Sequence, residues 1–206
     1  MRSPLLAAVA ALALVVGAGV LGAQDFQEPK SKVAFAIDDG DLTLLGTGLR
    51  VKKITFIKVK VYATAFYVDK AAVDGPLAPF KGKPASDELR KTLQAGDFEK
   101  MLVLHFVRDV GAGKIQDAMR EALEKGTDPK VLDQFISYFP EVKDGQRCTF
   151  RWVPGGTIET VMAGAEKPAI TDRAFAEKLF GLYVGPDPLQ DDFKPDFLAR
   201  TGEVLK

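Results

Sequence analysis

The chain of 206 residues is long enough for one domain with a sizeable hydrophobic core. Its 28 basic and 28 acidic residues give a formal net charge of zero, so the protein as a whole has no long-range field that would attract nucleic acid or an anionic membrane surface. We therefore expect no nucleic-acid partner.

The N-terminal segment has the pattern of a secretory signal peptide. Arg2 precedes an uncharged, apolar run over residues 5–23, and a polar segment that begins at Gln24 follows it. No cysteine stands directly after the run, which excludes a lipoprotein signal. The sequence thus predicts a signal peptide at 1–23, a domain at 24–206 and secretion to the periplasm. The alternative is a retained anchor, for which the run is long enough.

The first half of the chain shows the patterns of β-strands. Two short apolar runs within 33–45 flank the turn sequence at 38–40, which predicts a hairpin. The sequence LGTG at 45–48 predicts a second turn, because glycine readily adopts positive φ. Alternation over 54–68 predicts a half-buried strand, and the continuous apolar run at 101–107 predicts a strand covered on both faces.

The second half alternates helical and hairpin patterns. Apolar residues at helical spacing predict helices at 114–125, 129–139 and 171–183. Two strand-like runs at 146–153 and 157–163 flank the turn sequence PGG and predict a hairpin. The fold class expected from this order is α+β, an antiparallel β-sheet with a layer of α-helices on one face.

Common catalytic and cofactor motifs are missing from the sequence. With one histidine and one cysteine, no imidazole or thiolate metal cluster can form, and no glycine-rich nucleotide loop is present, so we expect neither a metal nor a cofactor. Cys148 reads as a buried, inert thiol. At Asp38 and Asp39 the sequence predicts a solvated hairpin tip rather than a calcium-binding loop. His105, between two apolar residues, reads as a core or cleft-lining histidine or, alternatively, as a base.

Several motifs in a fixed order carry a family resemblance. They are GTGLR at 46–50, IKVKVYATAFYV at 57–68, LVLHFVRDVGAGKIQDAMREAL at 102–123, VPGGT at 153–157 and FAEKLFGLYVGPDP with FKPDFL at 175–198. Together they resemble the chalcone isomerase family, in particular its bacterial secreted branch. The resemblance implies an antiparallel sheet with a layer of helices and a ligand cleft between them, near the strand that begins at the arginine.

The resemblance also implies a loss of catalytic groups. Arg50 matches the arginine that meets the substrate phenolate in the plant enzymes, whereas Tyr62 stands where those enzymes carry a threonine. Gly111 and Ala118 stand where they carry a catalytic tyrosine and an asparagine, and Leu182 stands, in a looser alignment, at a further polar position. Loss of one preorganised donor to an oxyanion typically costs ~2.7–4 kcal/mol of barrier.

Non-catalytic, fatty-acid-binding members of the same family imply another role for the two residues that are kept. We expect Arg50 and Tyr62 to hold the carboxylate of a small apolar acid, with Thr64 and His105 completing the ligand-binding set. A fatty acid or a flavonoid-like molecule would suit such a cleft. The apolar residues expected to line it are Phe56, Phe66, Leu102, Leu104, Phe106, Met119, Phe135 and Phe180.

Other interpretations stay open. The protein could be an intramolecular lyase with Arg50 as the electrophile, or a ligand-free interaction module of the cell envelope whose cleft is filled by side chains. Arg50 could also simply pair with Asp109 or Glu159. Strict alternation would place Tyr62 on the same face as Lys58 and Lys60, so that a ligand site at Tyr62 requires either an open face or a β-bulge.

Overall fold

The computed structural model describes residues 24–206, so the predicted signal peptide at 1–23 lies outside the described residues. A seven-stranded antiparallel sheet organises the domain, and strands that follow one another along the chain are hydrogen-bonded neighbours. Its strands are β3 (Asp38–Asp39), β4 (Leu42–Ile54), β5 (Ile57–Asp69), β6 (Lys100–Phe106), β7 (Arg147–Val153), β8 (Thr157–Met162) and β9 (Ala165–Thr171). A separate hairpin consists of β1 (Asp25–Gln27) and β2 (Ala34–Ala36).

Several of the helices begin at polar caps, as their sequences suggest. Asp128 accepts hydrogen bonds from the first turn of α4, which has proline at its start, and Asp172 accepts one from the amide of Phe175 in α5. The helices are α1 (Lys70–Asp74), α2 (Asp87–Ala95), α3 (Ala112–Leu123), α4 (Pro129–Ser137), α5 (Arg173–Val184), α6 (Phe193–Asp196) and α7 (Thr201–Val204), with a 3₁₀ turn at Ala78–Phe80.

The two faces of the sheet are covered differently. The helices pack on one face, where Phe66, Leu104 and Phe150 belong to the main core. The β1–β2 hairpin covers part of the other face, where Phe35 packs against a second apolar cluster that includes Ala65. This architecture confirms the predicted α+β class, with an antiparallel sheet and its helical layer on one face.

The predicted turn at LGTG is wrong, because these residues lie inside β4. Gly46 faces the backbone of the segment that follows α6, and a Cβ added there would lie 2.4 Å from the carbonyl oxygen of Phe197. A Cβ at Gly48 would lie 3.0 Å from the ring of Phe193. The two glycines therefore permit close approach of the C-terminal segment rather than a change in chain direction.

A β-bulge in β5 resolves the orientation of Tyr62. In the β4–β5 register Arg50 is opposite Tyr62, whereas Val51 is opposite Lys60, so Val61 is the extra residue. The bulge moves Tyr62 to the helix-covered side and leaves Lys60 on the other face. Beyond it, β5 has left β6 and pairs with β4 alone, and the two strands project as a ribbon (residues 51–60).

Candidate functional site

A cavity of about 880 Å³ lies between the ribbon and α3. This volume is within the range of small-molecule sites, roughly 300–1,000 Å³. Its floor is apolar, since Phe106, Ile115 and Met119 are buried, whereas charged side chains surround the mouth. The lining residues are Arg50, Lys52, Ile54, Val59, Val61, Tyr62, Phe106, Arg108, Asp109, Val110, Gly111, Lys114, Ile115, Asp117, Ala118, Met119, Glu121, Ala122 and Leu189.

Arg50 lies half-buried at the wall of this cavity. Its Nη1 donates to the carbonyl oxygen of Leu189 at 3.3 Å and to Oε1 of Gln190 at 3.4 Å. Gln190 is held in turn by the β4 backbone, because it accepts from the amide of Val51 and donates to the carbonyl of Leu49. Both acceptors of Arg50 are neutral, and within residues 24–206 no carboxylate lies within 4.0 Å of its guanidinium.

The two carboxylates considered as partners of Arg50 do not pair with it in the described chain. Asp109 also lines the cavity, but its oxygens accept from the amide of Asp144 at 2.9 Å and from Nζ of Lys143 at 3.3 Å. These hydrogen bonds, the amide first, lower the pKa of Asp109. Glu159 lies opposite Arg151 in the β7–β8 register. The positive charge of Arg50 is thus left facing the cavity.

Tyr62 lies directly across the strand pair from Arg50 and contributes a second polar group to the wall. Its hydroxyl lies 3.4 Å from the hydroxyl of Tyr183 on α5. Burial raises the pKa of both phenols, so both are protonated at neutral pH. Since one proton suffices for the contact between them, a second phenolic proton is available to an acceptor in the cavity.

Tyr183 is not part of the cavity lining, but its hydroxyl contacts that of the lining residue Tyr62, a contact that the sequence interpretation missed. Its ring stacks on Phe193 at 5.9 Å between centroids, which fixes the position of its hydroxyl. Leu182, the neighbour to which the looser alignment pointed, does not line the cavity. The two positions differ by one residue, and one residue turns the side chain by about 100° around the helix axis.

The other two predicted ligand residues lie away from the cavity. Thr64 is fully buried on the same face as Tyr62 but is not part of the lining, and its hydroxyl has no hydrogen-bond partner among residues 24–206. His105 points to the opposite face of the sheet, where Nε of Arg147 donates to its Nδ1 at 3.1 Å. Burial lowers the pKa of His105, and the positive charge of Arg147 lowers it further. The structure therefore does not bring His105 together with Arg50 and Tyr62.

The two positions at which the resemblance implies a lost catalytic group lie at the cavity. Gly111 and Ala118 are both part of its lining, and neither carries a polar side chain. The predicted apolar lining is correct for Phe106 and Met119 only. The prediction that Phe56 lines the cavity is wrong, because this residue lies at the tip of the ribbon with 95% of its surface exposed. The remaining predicted residues are buried in the main core, namely Phe66, Leu102, Leu104, Phe135 and Phe180.

Other candidate chemical features can be placed as well. Burial raises the pKa of Cys148 to about 11, so this thiol is protonated at neutral pH. Asp38 forms an ion pair with Lys70 beside the turn at Gly40. Across residues 24–206, no group of three or more histidine, cysteine or acidic residues is arranged to hold a metal, and no helix there is long and apolar enough to cross a membrane.

Comparison with known proteins places the chain in a family. The sequence model of the family described as "Chalcone isomerase-like" matches residues 23–199. The protein named fatty-acid-binding protein 2 from Arabidopsis thaliana is 29% identical over 182 residues, which cover 79% of this chain and 46% of that protein. The chain thus spans about half the length of this curated relative.

A solved structure supports the fold assignment. A crystal structure of an Arabidopsis thaliana fatty-acid binding protein superposes with a TM-score of 0.77 at 20% sequence identity, covering 88% of this chain and 99% of the other. At this identity the likeness concerns the fold alone. Because the family match extends over most of the chain, this protein belongs to the chalcone isomerase-like family.

Proposed function

We propose that this protein binds a fatty acid, or an acid of similar length and polarity, without converting it. The carboxylate lies against Arg50 and the alkyl chain lies along the apolar floor formed by Phe106, Ile115 and Met119. The observation that carries this proposal is the half-buried Arg50, which faces an apolar cavity and has no carboxylate partner within residues 24–206. The relative whose name describes a fatty-acid-binding protein supports the same class of ligand.

The donors at the head of the cavity suit a carboxylate. Arg50 uses only Nη1 in its contacts with the C-terminal loop, so its Nη2 and Nε protons are available for a two-pronged interaction. Tyr62 lies across the strand pair and offers a neutral phenolic donor. A hydrogen bond to a charged group is typically worth ~1.5–3 kcal/mol, which corresponds to roughly 10–150-fold in affinity.

The lining argues against catalysis by the mechanism of the plant enzymes. At Gly111 and Ala118, where those enzymes carry a tyrosine and an asparagine, the cavity wall offers no side-chain donor to a developing enolate. Two missing donors at ~2.7–4 kcal/mol each would remove roughly four to six orders of magnitude of rate. Binding without conversion needs neither of them.

The cavity also argues against a cleft filled by side chains. A space of about 880 Å³ lies beside Arg50 and is open at its mouth to solvent. A protein that used this fold only as an interaction module would gain stability from covering the apolar lining of such a space, because apolar surface left in contact with water does not contribute the stabilisation of burial. We therefore infer that the cavity is kept for a ligand.

We further propose that the protein belongs to a bacterial, secreted branch of its family and acts in the periplasm. The proposal rests on the signal-peptide pattern at 1–23 and on the cleavage expected before Gln24. Mass determination of the protein isolated from its native cells tests it. A mature chain that begins at Gln24 is expected, whereas an intact chain in the cytosol would contradict secretion.

Native mass spectrometry of the purified protein tests the binding function. We expect the wild-type protein and the Arg108→Gln control, which changes a charge at the cavity mouth, to carry a fatty acid, and Arg50→Gln to have lost it. An absence of bound acid from the wild-type protein, together with no binding of added palmitate, would contradict the proposal. Cyclisation of a chalcone well above the uncatalysed rate would favour the isomerase alternative instead.

A further inference from the structure

The tip of the ribbon exposes apolar side chains to solvent. Phe56 is 95% exposed, Ile57 is 67% exposed and Ile54 is 53% exposed, and within residues 24–206 these are the large hydrophobic residues that are exposed. Phe56 lies in a two-residue turn, which Ile54 and Ile57 flank, at the end of two strands that have left the rest of the sheet. Three such neighbours on one projection are more than the scattered apolar residues of an ordinary surface.

Positive charges flank this tip without any acidic residue in the same stretch. Lys52, Lys53, Lys58 and Lys60 lie on the ribbon, and the sequence contains no aspartate or glutamate from residue 42 to residue 68. Net neutrality of the whole chain does not cancel this cluster at close range, because screening confines interactions to about 10 Å at ordinary salt. Across the cavity, α3 presents Lys114 together with Asp117 and Glu121, a set with a net negative charge, so the excess of positive charge belongs to the ribbon.

The arrangement of the lysines is unfavourable in the free protein. Lys53 and Lys58 are directly opposite each other in the β4–β5 register, where like charges repel. An anionic surface placed against the ribbon would offset this repulsion, because each lysine would be attracted to it. The same surface would have to accept Phe56 and its two isoleucine neighbours, which requires an apolar layer directly beneath the negative charges.

We propose that the ribbon tip docks the protein on an anionic lipid bilayer. Phe56, Ile54 and Ile57 enter the boundary between headgroups and acyl chains, while Lys52, Lys53 and Lys58 contact the headgroups. Lys60 lies farther from the tip, and its Nζ donates to the carbonyl oxygen of Lys30. A projecting tip of three apolar residues offers far less area than the roughly 800 Å² that each partner contributes to a stable protein interface, whereas a few apolar side chains with a ring of lysines suffice for membrane association.

Docking would also place the cavity at the bilayer. Lys52, Ile54 and Val59 belong both to the ribbon and to the cavity lining, so a tip inserted in lipid brings the cavity mouth to the membrane surface. This gives an apolar acid a short path between the acyl layer and the floor of the cavity. Only this last step rests on the proposed binding function, since docking itself depends on the tip alone.

A tryptophan placed at the tip tests docking directly. Trp152 is the sole tryptophan of the chain and is fully buried, so in Phe56→Trp the new indole reports its own surroundings over a constant background. The apolar sequence at 5–23 is present in the full chain, and for that reason the readout is local rather than total vesicle binding. With vesicles of equal parts phosphatidylglycerol and phosphatidylcholine, we expect a blue shift of the emission and quenching by brominated acyl chains.

Charge variants provide the matched control. Lys53→Gln with Lys58→Gln removes two charges from the ribbon, and Lys83→Gln with Lys91→Gln removes two from exposed positions near and within α2. In the Phe56→Trp background, the first pair should raise the lipid concentration needed for half-maximal quenching roughly 20–30-fold, because each lysine near the surface contributes about fivefold. The second pair should leave it nearly unchanged.

The outcomes separate docking from ligand binding. Arg50→Ala should lose its bound acid and keep the quenching at position 56. If the indole is not quenched in anionic vesicles, or if both lysine pairs have equal effects, docking on lipid is refuted and the exposed tip is better explained by a protein partner. The proposed ligand binding is unaffected by that result. If quenching is normal but neither variant nor wild type binds an acid, only the path into the cavity fails.

Discussion

Replacement of Lys100 by methionine should change how stability depends on pH. Lys100 is fully buried at the start of β6, and its Nζ donates to the carbonyl oxygens of Leu93, Gln94 and Gly96, at the C-terminal end of α2, at 2.8–3.1 Å. The ammonium also lies 3.9 Å from the centre of the Trp152 ring. No carboxylate in the described chain lies within 4.0 Å of it.

The magnitude follows from the pKa of this amine. Burial lowers the pKa of Lys100 from 10.5 to about 7. Between these two values the unfolded chain binds more protons than the folded one, so the free energy of unfolding rises with pH. For a shift of this size the gain from pH 7 to pH 9 is about 2 kcal/mol, and the penalty is fully present below pH 7.

Urea denaturation at several pH values measures this gain. The interval should end at pH 9, because the pKa of Cys148 is raised to about 11 and its titration lowers stability at higher pH. In Lys100→Met the rise in unfolding free energy should disappear, whereas in Lys91→Met, an exposed lysine of α2, it should persist. An equal rise in wild type and Lys100→Met would refute the reasoning.

Two further substitutions test packing, both by urea denaturation at neutral pH. Gly46→Ala should destabilise the folded protein by ~1–3 kcal/mol or more, because the new Cβ would lie 2.4 Å from the carbonyl oxygen of Phe197 and only a backbone shift could relieve the clash. In the control Gly113→Ala, nothing lies within 4 Å of the new Cβ, so the substitution should be neutral or slightly stabilising. Thr64→Val should stabilise by about 1 kcal/mol, since it removes a buried hydroxyl without a partner in the described chain at nearly constant volume. Destabilisation by Thr64→Val would instead indicate a bound water or ligand at that hydroxyl.

Local patterns were sufficient for most of the elements. The helices α3, α4 and α5 and the hairpin at PGG lie close to their predicted positions, because periodicity, caps and turn residues act over a few neighbours. α2 escaped prediction although Ser86 and the acidic residues that follow it are a helix-start signal. Without α2, the burial of Lys100 could not be foreseen, since its acceptors are the last carbonyls of that helix.

The errors arise where contacts between segments far apart in the sequence determine the local structure. The glycines at 46 and 48 have the sequence pattern of turn residues. Their role in the structure is set by the C-terminal segment, some 150 positions later, which packs against them. Strict alternation along β5 fails at Val61, and a bulge is set by pairing with β4 rather than by any local motif. The side of the sheet on which His105 lies was also not predictable from local sequence. It is determined by the register between β6 and the bulged strand β5.

The affinity for palmitate and for its methyl ester, measured on wild-type protein and on Arg50→Gln, tests the central claim most directly. If Arg50 anchors a carboxylate in an otherwise apolar cavity, the wild-type protein should bind palmitate roughly 10–150-fold more tightly than the ester. Arg50→Gln should bind both molecules about equally and at the affinity of the ester. An absence of preference in the wild-type protein, or a preference that survives in Arg50→Gln, would contradict the account.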